Sequence, residues 1–135
     1  MKNYILYEEE DHLRGSSKPG WSNQVLKMCM DPECPDSLLK EIALKHLDDQ
    51  SQEILIHIGN NKNCSESTLE ILCKRENPDY ELRKAIVKNK NATENILENF
   101  INESRYFVFI EILKNKNCTF SILKKFYKNN IYSKG

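Results

Sequence analysis

Apolar positions in this chain recur with the period of an α-helix, and the pattern itself repeats about every 26 to 30 residues. Four short polar segments mark the register: Asp31-Pro32-Glu33-Cys34, Asn61-Lys62-Asn63-Cys64, Asn89-Lys90-Asn91-Ala92 and Asn115-Lys116-Asn117-Cys118. Four and five residues after each segment stand Leu38-Leu39, Thr68-Leu69, Ile96-Leu97 and Ile122-Leu123, and eight residues after it Ile42, Leu72, Phe100 and Phe126. Six residues before its last position stand Met28, Ile58, Ile86 and Ile112. Spacings of four, five and eight fall on one face of a helix. Each unit therefore reads as helix, turn, helix, turn, with helices predicted over 22–30, 36–47, 51–60, 66–75, 79–88, 93–102, 104–115 and 119–130. Pro35, Ser65, Thr93 and Thr119 follow the marker segments; Ser and Thr cap helix N-termini and Pro tolerates the first turn. The asparagines of the segments are read as helix terminators, because Asn accepts the left-handed conformation. Asn77-Pro78 reads as a helix start.

A hairpin of two such helices cannot bury its apolar stripe alone, whereas three or four stacked hairpins can. The expected fold is all-α, a right-handed α-solenoid of about three to four stacked helical hairpins occupying residues 21–130. Residues 1–20 form an N-terminal acidic arm and cap, and 131–135 a C-terminal tail. Within the arm, Glu8-Glu9-Glu10-Asp11 leads into a Gly/Ser/Pro-rich linker, Gly15 to Gly20. Tyr4, Ile5, Leu6 and Tyr7 are expected to cap the first hairpin, with a partner-docking strand as the alternative, and Trp21 to staple its first helix to the stack. The segment Tyr80-Glu81-Leu82-Arg83-Lys84-Ala85-Ile86-Val87-Lys88-Asn89-Lys90-Asn91-Ala92-Thr93 resembles a unit of the leucine-rich repeat variant family. That family's units run Val-Arg-x-x-Val-Ala-x-Asn-Pro-x-Thr-Pro. The resemblance extends over about residues 22–130, is sharp in this one unit, and implies a HEAT-like helical solenoid. Lys62, Lys90 and Lys116 stand where the family has proline.

At 135 residues, 39% apolar and 30% charged, the chain has the composition of one soluble globular domain. No apolar run reaches the roughly 20 residues of a membrane span, and the acidic N-terminus does not read as a signal peptide. A cytoplasmic location is the expectation. Five cysteines, an odd number, argue for a reducing compartment. Abundant Asn, Lys and Ile suggest an A/T-rich coding sequence, as in a low-GC bacterium or its phages.

Formal net charge is zero but polarised. Residues 1–80 hold 9 Lys/Arg against 15 Asp/Glu, a net of −6, and residues 81–135 hold 11 against 5, a net of +6. No acid follows Glu111. Such asymmetry bears on partners rather than fold.

Chemistry is sparse. Cys29, Cys34, Cys64 and Cys73 could supply four thiolates, and some leucine-rich repeat variant proteins carry an iron–sulfur cluster, but no CxxC pair is present. Cys34, Cys64 and Cys118 share the register of Ala92, which marks a small packing slot rather than a metal site. His12, His46 and His57 read as solvated helix-face residues. No G-x-S-x-G, H-E-x-x-H, P-loop or GxGxxG occurs, so no enzyme, metal or cofactor is expected.

The expected function is a non-catalytic protein-binding module, an adaptor or an inhibitor of a partner protein such as a bacterial or phage interference factor. Its candidate residues lie on the second helices: Glu53, His57, Arg83, Lys84, Lys88, Arg105 and Glu111. The alternative is nucleic-acid binding through Lys114, Lys116, Lys124, Lys125 and Lys128, which interleave with Phe120, Phe126, Tyr127 and Tyr132. In the competing reading Phe120 and Phe126 complete the core. Salt-dependent self-association of acidic and basic ends is a third expectation; no membrane partner is expected.

Overall fold

The computed structural model describes residues 19–101 and 106–132, with side chains over 23–101 and 107–128. The roles expected of Tyr4, Ile5, Leu6, Tyr7, His12, Trp21 and Arg105 fall outside these described parts. Regular structure among the described residues is entirely helical: α1 (Pro19–Met30), α2 (Asp36–His46), α3 (Glu53–Asn60), α4 (Glu66–Leu72), α5 (Tyr80–Lys88), α6 (Glu94–Glu98), α7 (Tyr106–Lys114) and α8 (Phe120–Tyr132). Helix α1 starts inside the expected linker, at Pro19, whose fixed φ and missing N–H suit a first turn. Helix α8 runs two residues into the expected tail. Helices α4 and α6 stop short of the expected 75 and 102 because their ends tighten into three-residue turns. There Lys74 N–H donates to Ile71 O and Arg75 N–H to Leu72 O, as Asn99 does to Ile96 O and Phe100 to Leu97 O.

Each helix packs against the next but one. α1, α3, α5 and α7 contact in succession, as do α2, α4, α6 and α8, and α3 bridges the two rows through α2 and α4. The core lies between them, on the register positions named above. Met28, Ile58, Ile86 and Ile112 are buried, as are Leu39, Leu69 and Leu97, and Ile42, Leu72 and Phe100. Each Leu or Ile so covered contributes about 1.5–3 kcal/mol relative to exposure. Gly59 allows α3 and α5 to approach closely: a Cβ there would lie 3.1 Å from Ala85 Cβ.

The marker turns are joined by a ladder of asparagine amides. Asn61 Nδ2 donates to Cys29 O (2.7 Å) and Asp31 O (2.9 Å) of the turn before it. Asn89 Nδ2 donates to Gly59 O (2.8 Å) and Asn61 O (3.1 Å), and Asn115 Nδ2 to Val87 O (2.8 Å) and Asn89 O (3.0 Å). A second rail runs alongside. Asn63 bonds Pro32 O and Cys34 O, Asn91 bonds Lys62 O and Cys64 O, and Asn117 bonds Lys90 O and Ala92 O. The Oδ1 atoms of Asn61, Asn89 and Asn115 accept from the N–H two residues on, at 2.8–2.9 Å. These turns bury backbone carbonyls that would otherwise lose water without replacement, and the amides supply the missing donors.

The expected left-handed terminators are thus corrected. Asn61 (φ −79°, ψ 130°) and Asn89 (φ −67°, ψ 132°) are extended, and asparagine is there for its side chain. The left-handed residue is Asn77, with φ 49°, just before Pro78. At that opposite edge, buried Gln52 donates through Nε2 to Asn77 O (3.1 Å) and accepts at Oε1 from Asp79 N–H (2.8 Å). Arg75 Nη1 reaches Leu47 O (2.8 Å) and Asp49 O.

Candidate partner-binding surface

Helices α2, α4 and α6 start beside the marker turns, and their first-turn acids tie one unit to the next. Asp36 Oδ1 accepts from Ser65 N–H (2.8 Å) and Thr68 Oγ1–H (2.8 Å). Glu66 accepts from the Thr93 hydroxyl (2.6 Å) and Glu94 from the Thr119 hydroxyl (2.7 Å). Thr93 therefore bonds across units rather than capping its own helix, whereas Ser65 accepts from Thr68 N–H as a cap should. Burial alone would raise the Asp36 pKa, but the Ser65 and Thr68 donors and Lys40 outweigh it and hold the carboxyl below its ordinary 3.8.

The next position in this series is Phe120, and there the pattern breaks. Where three units place a bonded carboxylate, the fourth places a ring that is 77% exposed. Phe120 is not core, contrary to one expectation; Phe126 is half-buried and stacks on Phe109 with ring centroids 3.6 Å apart. Three more exposed apolar residues share Phe120's situation. Leu123 occupies the register of Leu39, Leu69 and Leu97, all fully buried. Leu113 occupies that of Cys29, Gly59 and Val87, and Tyr127 that of Ala43, Cys73 and Ile101, buried or half-buried in every case. In each earlier unit the following hairpin covers these positions. On α7 and α8 they form an apolar end face, flanked by exposed Lys116, Lys124 and Lys128.

No family model, curated protein or solved structure matches the chain. The candidate surfaces accordingly rest on geometry and register alone. Of the residues expected to bind a partner, Glu53 and Lys88 are exposed, while His57, Arg83, Lys84 and Glu111 are partly buried. They are distributed over three helices that pack in succession. Glu53 and His57 lie on α3, Arg83, Lys84 and Lys88 on α5, and Glu111 on α7. Arg83 holds the register of buried Val25 and Leu55, which turns its stem toward the core. Lys84 Nζ sits 5.9 Å from the Tyr80 ring centroid, and Tyr80 meets Phe107 edge-on at 6.3 Å. That aromatic pair, with Phe107 exposed and Tyr80 half-buried, was missed; aromatic residues in the first turns of α5 and α7 were the available signal.

The lysines expected for nucleic acid separate into two groups. Lys114 and Lys116 join Lys62, Lys88 and Lys90 along the marker-turn edge, where two shallow clefts lie between the turns. Lys124, Lys125 and Lys128 lie on α8, and Lys125 is paired with Glu98, which raises its pKa.

His46 is buried, not solvated as expected: its Nδ1 lies 2.7 Å from Asp49 Oδ2. Cys34 and Cys64 are fully buried like Ala92, and Cys118 is half-buried in the last unit. Burial, with Asp31 nearby, pushes the Cys34 thiol up to about 11. Burial, then Asp36 and Cys73, push Cys64 up to about 12, and burial with Glu70 takes Cys73 to about 11. These groups stay protonated at neutral pH and are poor ligands or nucleophiles. Among the described residues, no group of three or more His, Cys, Asp or Glu is placed to hold a metal ion, and no helix is long and apolar enough to cross a membrane.

Proposed function

We propose that the chain is a right-handed, HEAT-like α-solenoid similar to the leucine-rich repeat variant family, and that it is a non-catalytic, cytoplasmic protein-binding module. It acts as an adaptor or as an inhibitor that occupies a partner's surface. The observation that carries this reading is the end face: Leu113, Phe120, Leu123 and Tyr127 are exposed at positions where the earlier units are covered. Apolar anchors inside a charged rim are what protein interfaces use, and the lysine rim selects an acidic partner. The ladder supports the reading by fixing the turns, so that little ordering entropy is lost on docking.

The test places a photo-crosslinking amino acid at position 120 and exposes the protein to extract of its native host. One protein should be trapped, and it should also be retained by the unmodified chain and lost with Phe120→Asp/Leu123→Asp. Retention that is indifferent to those substitutions, or no trapped protein, would overturn the proposal.

A second reading has its own observation. Lys62, Lys88, Lys90, Lys114 and Lys116 align along one edge, a spacing suited to a polyanion. Titration with a single-stranded oligonucleotide over a salt series tests it. Affinity that falls steeply with salt and drops in Lys90→Glu/Lys116→Glu supports nucleic-acid binding; no binding at low salt removes it.

A further inference from the structure

The end face raises the question of its occupant, and the chain carries a segment of matching chemistry. Tyr4-Ile5-Leu6-Tyr7-Glu8-Glu9-Glu10-Asp11 places four apolar residues directly beside four acids. The end face sets Leu113, Phe120, Leu123 and Tyr127 beside Lys116, Lys124 and Lys128. Both the segment and the face set apolar side chains beside charges of one sign, and the two signs are opposite. The net charges agree, −6 over residues 1–80 and +6 over 81–135.

Reach decides between the chain's own face and that of another copy. The arm enters the fold at Pro19, on α1, while the face is on α7 and α8, three helix contacts away. At about 8–10 Å per contact, the straight path is roughly 24–30 Å, and passing beyond α7 adds about 5 Å more. The twelve residues from Tyr7 to Pro19 span about 40 Å only when fully extended. Docking on the chain's own face would draw that tether nearly straight, with loss of its conformational entropy. Another copy's face makes no such demand.

In-register stacking of a second copy would lack the ladder's amide bonds. The first turn, Asp31-Pro32-Glu33, has no side-chain amide, so it cannot donate to the carbonyls of another copy's last turn as Asn61 and Asn63 donate to its own.

We infer that the Tyr4–Asp11 segment of one copy docks on the α7–α8 end face of another, giving a heterologous, head-to-tail association. This rests on the reading of that face as a protein-docking surface. Because the contact is heterologous, it propagates into chains or closes into rings rather than stopping at a two-fold dimer.

The test is sedimentation equilibrium of the full chain at low and moderate salt. The unmodified protein should show concentration-dependent mass growth that weakens as salt rises. Reversing the arm (Glu8→Lys/Glu9→Lys/Glu10→Lys) or the face (Lys124→Glu/Lys128→Glu) should each lower the association constant by about tenfold or more, and combining the two should restore it. A synthetic peptide of residues 1–14 should compete, and circular dichroism should show the variants folded. A monomer at every concentration, or association indifferent to arm reversal, overturns the inference. If the chain is a monomer yet host-protein capture still requires Phe120, this inference falls and the docking-face reading stands. If capture and association both ignore Phe120→Asp, both fall.

Discussion

Replacing Asn89 with aspartate separates two accounts of why asparagine recurs in the turns. If the side chain only caps its own turn, aspartate should serve as well. Its Oδ1 would still accept from Asn91 N–H, as Asp31 Oδ1 accepts from Glu33 N–H at 2.8 Å in the first turn. If instead the amide clamps the preceding turn, aspartate loses both bonds, to Gly59 O at 2.8 Å and Asn61 O at 3.1 Å, and faces those oxygens with a carboxylate. Asn89 is 8% exposed, so water cannot make up the loss. A buried carbonyl that loses its donor costs about 1–3 kcal/mol, and two carbonyls lose the Asn89 amide. Asn61 O keeps the Cys64 N–H, which puts the sum nearer the lower end, at about 3 kcal/mol before charge burial is counted. With a urea m-value of about 2 kcal/mol per molar, the unfolding midpoint should fall by roughly 1.5 M. Asn89→Ala, which loses the same donors without adding charge, should fall less. Asp31→Asn should be nearly neutral, since no marker turn precedes Asp31. Urea unfolding followed by circular dichroism at neutral pH measures all three. An Asn89→Asp midpoint close to that of the unmodified protein would refute the clamp.

Three further outcomes follow from the geometry. Asp36 has a folded pKa below its ordinary 3.8, so its stabilising contribution is present above that value and is lost as pH falls through the lower, folded pKa. Asp36→Asn should therefore be less stable than the unmodified chain at pH 7, with the gap closing below about pH 4; a gap constant with pH would contradict this. Cys34 and Cys64, buried and raised to about 11 and 12, should resist maleimide at pH 7 until urea unfolds the chain, with Cys118 labelled first; equal labelling of all five in the native protein would count against it. Gln52→Ala removes the bridge to Asn77 O and Asp79 N–H and should cost about 2 kcal/mol in urea unfolding; no change would mean those loops hold without it.

Helix positions and the buried stripe were legible because both depend on local periodicity. Met28, Ile58, Ile86 and Ile112 are buried where their spacing put them. The asparagines were found but misread, because their partners lie 25 to 32 residues away and local propensity carries no information about a neighbouring unit. Their distribution held the missing signal: Asn-x-Asn in three turns and Asp-x-Glu in the first is what a donor ladder requires when no turn precedes it. His46 was misjudged for a similar reason. Its Asp49 partner was visible at a three-residue spacing, but burial by packing of α2 was not. Which side of the second helices faces outward depends on packing between units, which register spacing alone does not carry. Arg83 shows this, at a position where two other units place Val25 and Leu55.

A repeated chain supplies its own controls, and that is how the end face becomes visible. An exposed phenylalanine on a surface helix means little by itself, since exposed apolar residues are ordinary. Phe120 carries weight because the same position holds Asp36, Glu66 and Glu94, each bonded to the following unit. The rung that would continue the polar ladder has been replaced by an apolar one. Leu123, Leu113 and Tyr127 extend that change across both helices of the last hairpin. The two ends of the stack therefore differ in kind. One has a turn of carboxylates that can accept but not donate; the other has carbonyls and apolar side chains within a rim of lysines. On the docking reading proposed above, such polarity would suit an acidic and apolar occupant at the last hairpin, and simple stacking of identical units would lack the ladder's amide bonds. Both properties come from a few substitutions at fixed register positions, with the helical framework unchanged.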